Sequence, residues 1–164
     1  MNKEAIKTFS YRISQANRTE LVVITMDMGI QYIEDAINND DVADYKENLR
    51  MAKRVVDELI TALDMNYDIS RELFNVYMVI ERYLIKAGSG ATEEDYHSDE
   101  RELLLNTSIS MLDKLRESFH QVAKQDESEA LMQNTQQVYA GLTYSSMGGE
   151  SEIYNTGANR GFRV

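Results

Sequence analysis

Two Glu-x-x-His motifs are the residues in this sequence whose spacing could bind a metal: Glu94 with His97, and Glu117 with His120. In helical bundles, two such motifs and two further glutamates ligate a di-iron centre. Both motifs are predicted on one helix, about 35 Å apart along its axis, so they cannot converge within one chain. Glu117 is also expected to face water, opposite an apolar stripe on the same helix. We therefore expect neither a metal nor any other cofactor.

Two further segments resemble sites for calcium or phosphate, but each lacks a required residue. Asp64–Asp68 matches the opening of a calcium loop, yet Ile69 stands where that loop needs Gly and Asn75 where it needs Glu. Gly88–Gly90 is not followed by the Lys-Ser/Thr of a phosphate-binding loop. Nucleophilic catalysis needs an activated nucleophile beside a base, and a chain with no Cys and 2 His offers no candidate. The sequence therefore predicts a protein that is not an enzyme.

The charge and composition of the sequence argue against a protein that binds nucleic acid, enters a membrane or is secreted. The 164 residues include 28 acidic and 17 basic ones, which gives a net charge of −11. A charge of that sign opposes binding to nucleic acid or to anionic lipid. The longest apolar run, Leu21–Ile24, is far too short for membrane insertion, and the first residues lack the apolar core of a secretory signal. We therefore expect a cytoplasmic protein that binds another polypeptide.

Four segments show the apolar spacing of amphipathic helices. The first begins near Asn17, a good N-cap residue, with Glu20 placed to complete a capping box. The third begins at Asp68, a predicted N-cap, and the fourth begins between Glu93 and Ser98. The second has the most regular pattern, an unbroken four-three rhythm of the kind that faces a bundle core. Its apolar residues are Tyr45, Leu49, Ala52, Val56, Leu59 and Leu63.

These segments predict an all-α protein, an antiparallel four-helix bundle over residues 17–125. Short connections between successive long helices favour antiparallel neighbours. We expect a flexible N-terminal segment at residues 1–16 and a weakly structured C-terminal tail at residues 126–164. The tail holds five of the 8 glycines together with many Ser, Asn and Gln residues, a composition that disfavours a packed core.

The first and third predicted helices, with the apolar residues before Asn17, carry more apolar surface than one bundle core needs. On the first helix, one stripe runs through Met26 and Ile33, and a second runs beside it through Leu21, Ile24, Met28 and Tyr32. A groove lined by such helices can bind an amphipathic helix or an extended apolar segment of a partner. The N-terminal residues or the C-terminal tail of the same chain could also fill the groove. The residue pattern leaves these alternatives open.

Two stretches of the sequence follow the pattern of a known family. Ile13–Leu21, with the helical residues after it, is similar to a family segment Val-x-Thr-Ala-Ser-Pro, a following Leu and a Leu-Tyr-Asp-Gly helix. The chain departs from that pattern at Arg18, Met26 and Met28, where the family has Pro, Tyr and Gly. The second stretch keeps the family's order through Asn48-Leu49, Ala52-Lys53, Val55-Val56, Glu58-Leu59, Leu63-Asp64, Ile69-Ser70, Leu73, Tyr77, Arg82, Leu84-Ile85 and Ala87. Over residues 13–123 the chain therefore resembles the FliS-type flagellin export chaperones.

This resemblance implies a cytoplasmic export chaperone. Such proteins bind the disordered C-terminal segment of flagellin, prevent its premature polymerisation and keep it competent for flagellar type III secretion. The flagellar export gate is a second partner to consider. A disordered partner suits this role because ordering it uses part of the binding free energy, which permits later release. The alternative from another class is a self-assembling structural or adaptor bundle without flagellin binding, and the sequence does not define the oligomeric state.

The resemblance also implies which residues contact flagellin. Phe9 and Ile13 precede the first predicted helix, so we expect them to form a mobile gate over the groove. In the C-terminal tail, Val138–Tyr139 and Leu142 are apolar residues that could occupy the same groove in cis. The full set of predicted contact residues comprises Phe9, Ile13, Ala16, Leu21, Ile24 and Met28 in the N-terminal motif, with Phe74 and Tyr77 on the apolar face of the third predicted helix.

Overall fold

Five helices and no strand make up the regular structure of residues 1–132, the part of the chain that the computed structural model describes. These residues belong to one compact unit, Met1–Gln133. The all-α class predicted from the sequence is therefore confirmed over this range. The helices are α1 (Lys3–Gln15), α2 (Arg18–Ile37), α3 (Val42–Thr61), α4 (Asp68–Gly88) and α5 (Asp99–Ala123).

The four longer helices pack in a ring. Helix α2 contacts α3 and α5, and α4 contacts the same two helices from the other side, while α1 packs on α2. This packing is compatible with the four-helix bundle predicted for residues 17–125. Gly29 brings α2 close to its neighbours, because a Cβ atom there would lie 3.2 Å from Val55 Cγ1 and 3.6 Å from Leu112 Cδ1.

The predicted start of α2 is confirmed and that of α4 is shifted by one residue. The Asn17 side chain accepts a hydrogen bond from the Glu20 amide at 2.8 Å, and the Glu20 carboxylate accepts one from the Asn17 amide at 2.9 Å. These two bonds form the capping box expected from the sequence. Asp68 was predicted to cap α4, but it is the first helical residue, and Tyr67 precedes it without a side-chain cap.

One large apolar cluster, which we call the main core, lies inside the ring. The four-three rhythm of α3 is confirmed, since five of its six predicted core residues are buried there and Leu63 packs against them. Helix α2 contributes four buried residues and α4 contributes another four. The buried members are Met26, Ile30, Ile33, Ala36, Tyr45, Leu49, Ala52, Val56, Leu59, Tyr77, Ile80, Leu84, Ala87, Ala91, Leu105 and Leu112.

The two Glu-x-x-His motifs do not share a helix, contrary to the prediction. Helix α5 begins at Asp99, so Glu94 and His97 lie in the turn before it. The His97 Nε2 atom is 2.9 Å from the Asn39 carbonyl oxygen, and this contact ties that turn to the end of α2. Within residues 1–132 no group of three or more His, Cys, Asp or Glu side chains could hold a metal ion. None of the described helices is both long and apolar enough to cross a membrane.

Helix α1 is the main departure from the predicted fold, because residues 1–16 were expected to form a flexible segment. The Asn2 side chain accepts a hydrogen bond from the Ala5 amide at 2.8 Å and so caps the first turn. Phe9 and Ile13 follow Ala5 at intervals of four, and this spacing places all three on the helix face that packs on α2.

Candidate partner-binding site

A second apolar cluster, separate from the main core, joins α1 to α2; we call it the α1–α2 cluster. Phe9, Ala16 and Ile24 are its buried members. Leu21 and Met28 of α2 are half-buried beneath α1. The remaining half-buried members are Met1, Ala5 and Ile13. Helix α1 therefore covers an apolar face of α2 that the main core does not use.

Six of the eight predicted contact residues meet in the α1–α2 cluster: Phe9, Ile13, Ala16, Leu21, Ile24 and Met28. An apolar face of α2 outside the main core is thus present, and the N-terminal residues of the same chain cover it. This was one of the occupants that the sequence left open. The tail residues Val138–Tyr139 and Leu142, the other intramolecular candidate, lie outside the described residues.

The structure separates Phe74 and Tyr77 from the other six. Both lie on α4, and Tyr77 is a member of the main core with 1% of its surface exposed. Burial raises the pKa of the Tyr77 phenol to about 12, because ionisation would place a charge among apolar side chains. Phe74 is half-buried. In this structure Tyr77 offers almost no surface to a partner.

A charged contact that the sequence analysis did not identify fastens α1 to α2. Asp27, on α2, accepts a hydrogen bond from Arg12 Nη2 of α1 on its Oδ2 atom at 2.5 Å. Its Oδ1 atom accepts one from Arg116 Nη1 of α5 at 3.0 Å. The hydrogen bond to Asp27 raises the pKa of the Arg116 guanidinium above its ordinary value, so this side chain remains charged. Asp27 thus binds a different helix with each carboxylate oxygen.

The Arg12 side chain connects this charged contact to the apolar cluster. Its guanidinium carbon lies 5.6 Å from the centre of the Phe9 ring, within the range of a cation–π contact. Phe9 and Arg12 are three residues apart, so they lie on neighbouring parts of one helix face. Helix α1 therefore presents an aromatic anchor and a cation together to α2.

Two clefts border α1 where it meets α2 and α5. One has a volume of about 250 Å³ and contains both apolar and charged side chains. The other, of about 280 Å³, includes Glu117 and His120, one of the two motifs considered for metal binding. The first is lined by Arg12, Gln15, Ala16, Glu20, Val23, Ile24, His120, Ala123 and Lys124. The second is lined by Arg12, Val23, Asp27, Arg116, Glu117 and His120.

The residues after α5 hold the junction between α1 and α2; we call Asp126–Leu131 the clasp. The Asn17 side-chain amide donates to the Asp126 carbonyl oxygen at 3.2 Å, and the Thr19 hydroxyl donates to the Asp126 carboxylate at 2.5 Å. The Leu131 amide donates to the Ala16 carbonyl oxygen at 3.0 Å. Hydrogen bonds from Ser128 and Thr19 lower the pKa of Asp126. The clasp therefore holds the C-terminal end of α1 and the N-terminal end of α2.

This arrangement suits reversible binding of a helix. The face of α2 beneath α1 is apolar, is flanked by the carboxylates of Asp27 and Asp35, and is covered by a single helix of 13 residues. Such a face binds an amphipathic helix through anchors spaced by three or four residues. Such a site can recognise a peptide by apolar contact and by ion pairs with Asp27 and Asp35.

One known family matches most of this chain. The chain matches the family model described as flagellar protein FliS over residues 1–126. The matched range includes all five helices and reaches the first residue of the clasp. No curated protein matches the chain. Because the family match covers most of the 164 residues, the chain belongs to the FliS family, which implies a flagellar chaperone role with a protein partner.

Proposed function

We propose that this protein is a cytoplasmic export chaperone that binds the disordered C-terminal segment of flagellin on the face of α2 now covered by α1. The observation that carries the proposal is the α1–α2 cluster, where a short amphipathic helix occupies an apolar groove outside the main core. Membership of the FliS family directs the choice of partner to a flagellar protein.

Flagellin would bind by replacing α1. Loss of α1 exposes Leu21, Ile24 and Met28, and an incoming helix can bury them again. The exchange leaves the ring of α2 to α5, proposed to be an antiparallel four-helix bundle, as a platform. Because the partner orders only on binding, part of the interaction free energy is used in folding it, which keeps the complex reversible.

The bound state would serve export in two ways. It covers apolar surface through which flagellin subunits polymerise, and it holds the segment ready for flagellar type III secretion, with the export gate as a second partner. We propose that the protein does so without catalysing a reaction and without binding nucleic acid or inserting into a membrane. The net charge of −11 supports the last two points, because it opposes phosphate backbones and anionic lipid.

Calorimetric titration of the full-length chain with the C-terminal segment of its organism's flagellin tests the proposal. We expect binding with a large negative heat-capacity change, the signature of coupled folding on an apolar surface. The variant Ile24→Glu places a charge in the groove and should weaken binding by about tenfold or more. Ile69→Glu is the matched control, because Ile69 is exposed at the start of α4. An absence of binding by the full-length chain contradicts the proposal.

The alternative, a self-assembling adaptor bundle, makes the opposite prediction. It requires a stable oligomer whose sedimentation is unchanged by the flagellin segment. Sedimentation velocity of the chain alone and with the segment separates the two functions in one experiment. A heavier species that appears only when the segment is added supports the chaperone.

A further inference from the structure

We propose that Asp27 selects the partner helix, favouring one that carries an Arg or Lys about one turn after an apolar anchor residue. The inference rests on the proposed function, since it concerns the helix that replaces α1. Under this proposal, a partner helix needs a basic residue in addition to the apolar residues that contact α2.

The position of Asp27 is the first step. The residue lies in α2 between Ile24 and Met28, two members of the α1–α2 cluster, and its side chain is 16% exposed. A carboxylate that is largely removed from water needs hydrogen-bond donors, because an unpaired buried charge is costly. Here both oxygens have a donor, and each donor comes from a different helix.

The two donors differ in what happens when α1 leaves. Arg116 belongs to α5, so its bond to Oδ1 remains. Arg12 belongs to α1, so Oδ2 loses its donor at the moment when the apolar face of α2 opens. Arg116 is also bonded to Asp113 on its own helix, which keeps its second nitrogen engaged. The open groove therefore has an apolar floor and two carboxylate oxygens that lack their previous partners. These are Asp27 Oδ2 and, nearer the start of α1, Asp35 Oδ2, which pairs with the Met1 amine at 2.8 Å while α1 is in place.

The features of α1 define the helix that fits. Phe9 fills the apolar cluster, and Arg12, three residues later, reaches Oδ2 while its guanidinium packs near the Phe9 ring. A replacement helix restores all of these contacts when it carries an apolar anchor at one position and a basic residue three or four positions further on. A helix with Gln or Glu in the second position leaves Oδ2 without a charged partner or places a like charge beside it.

Two variants of the full-length chain separate the effect of α1, which competes for the groove, from the contact with the flagellin segment. Arg12→Gln removes the ion pair that holds α1, and so it should raise the affinity for the flagellin segment. Adding Asp27→Asn to that variant removes the carboxylate charge offered to the partner and also weakens the pair with Arg116, and we expect affinity to fall about tenfold. Glu34→Gln in the same background is the matched control, because Glu34 is an exposed acidic residue of α2. It should leave the affinity unchanged.

Peptide substitution identifies the basic residue. Each Arg or Lys of the flagellin segment is replaced by Gln in turn and titrated against the Arg12→Gln chain with and without Asp27→Asn. We expect one replacement that weakens binding to the chain that retains Asp27 and has no effect on the chain that carries Asp27→Asn, because non-additive effects reveal direct contact. Equal losses in both chains for every peptide overturn the proposal.

A second probe keeps the inference testable if flagellin does not bind. A synthetic peptide with the sequence of residues 1–16 is added in trans to the Arg12→Gln chain, together with a version that carries Gln at position 12. We expect the peptide with Arg to bind about tenfold more tightly, and only when Asp27 is present. This result without flagellin binding would refute the proposed function and leave the selection by Asp27 standing. Equal binding of both peptides would refute the selection.

Discussion

The main core and the α1–α2 cluster are two apolar regions that share one helix but differ in size. The main core buries 16 residues drawn from four helices and the turn between α4 and α5, whereas the α1–α2 cluster buries 3 residues, one from α1, one from α2 and Ala16 from the junction between them. Because the stabilisation from burial increases with the apolar area removed from water, the first region fixes the fold. The second is small enough to open while the first stays closed.

Helix α2 joins the two regions through opposite faces. Met26 and Ile33 point into the main core, while Ile24 and Met28 belong to the α1–α2 cluster. Three of the four residues predicted for the second stripe therefore form a separate contact, whereas the fourth, Tyr32, packs against the main core. The comparison teaches that the second stripe on a bundle helix can mark a face kept for exchange of partners, here α1 and the proposed flagellin helix.

The largest expected effect comes from a cavity in the main core. Leu112 is fully buried, and Leu112→Ala should lower the free energy of unfolding by about 2–5 kcal/mol. Urea denaturation followed by circular dichroism measures it. Leu103→Ala on the same helix is the control, since Leu103 is exposed and should change stability by less than about 0.5 kcal/mol. Similar losses for both variants would mean that α5 is not anchored as described.

Alkaline pH should also weaken the main core, through Tyr77. Its pKa is about 12 in the folded chain against an ordinary value of 10.0, so the folded state retains the proton longer than the unfolded state does. The free energy of unfolding should therefore decrease as the pH rises from 10.0 towards about 12. Urea midpoints measured across this range should fall more steeply for the wild type than for Tyr77→Phe. Equal falls in the urea midpoint for the two proteins would show that burial does not raise the pKa of Tyr77.

A cavity in the α1–α2 cluster should open α1 alone. Phe9→Ala removes the buried aromatic anchor, and we expect amide hydrogen exchange in α1 to accelerate by about tenfold to a hundredfold. Exchange in α3 and α4 should stay as it is in the wild type. Ile6→Ala is the matched control, because Ile6 lies on the exposed side of α1. If Phe9→Ala also accelerates exchange across α3 and α4, the two regions are not separable.

Acid should produce the smallest effect, at the clasp. Hydrogen bonds from Ser128 and Thr19 lower the pKa of Asp126 below its ordinary value of 3.8, so the ionised form favours the folded clasp. That contribution is present above the ordinary pKa and is lost as the pH falls through the lowered value. The amide resonance of Ser128, which donates to the Asp126 carboxylate, should titrate with a midpoint below 3.8. Asp126→Asn should remove the transition, and a midpoint above 3.8 would contradict the bonding described.

Much of the fold could be predicted from the sequence because its signals are local. The capping box at Asn17 and the four-three rhythm of α3 depend on residues only a few positions apart, and both are confirmed. The groove on α2 was also predictable, since its two stripes exceed the needs of one core. Flagellin contact at the predicted residues remains a prediction, now with six of the eight gathered in one cluster.

The misses have physical causes. Helix α1 has the expected spacing from Ala5 to Ile13, but Ile6 and Tyr11 are apolar or aromatic and exposed, which blurs its amphipathic pattern. Tyr77 was predicted to contact a partner, and its burial in the main core was not foreseen, because an apolar stripe does not reveal which helix covers it. The bond between Asp27 and Arg116 joins residues 89 positions apart, and no local pattern indicates such a pair.

The clasp has a consequence for the order of events during protein synthesis. Its bond between Asn17 and Asp126 spans 109 positions, so α1 and α2 leave the ribosome long before the residues that secure their junction exist. At about 5–20 residues per second, that interval lasts several seconds. The clasp bonds are therefore a late step of biogenesis, and until they form α1 is held on α2 by the α1–α2 cluster and by the pairs of Arg12 with Asp27 and of the Met1 amine with Asp35.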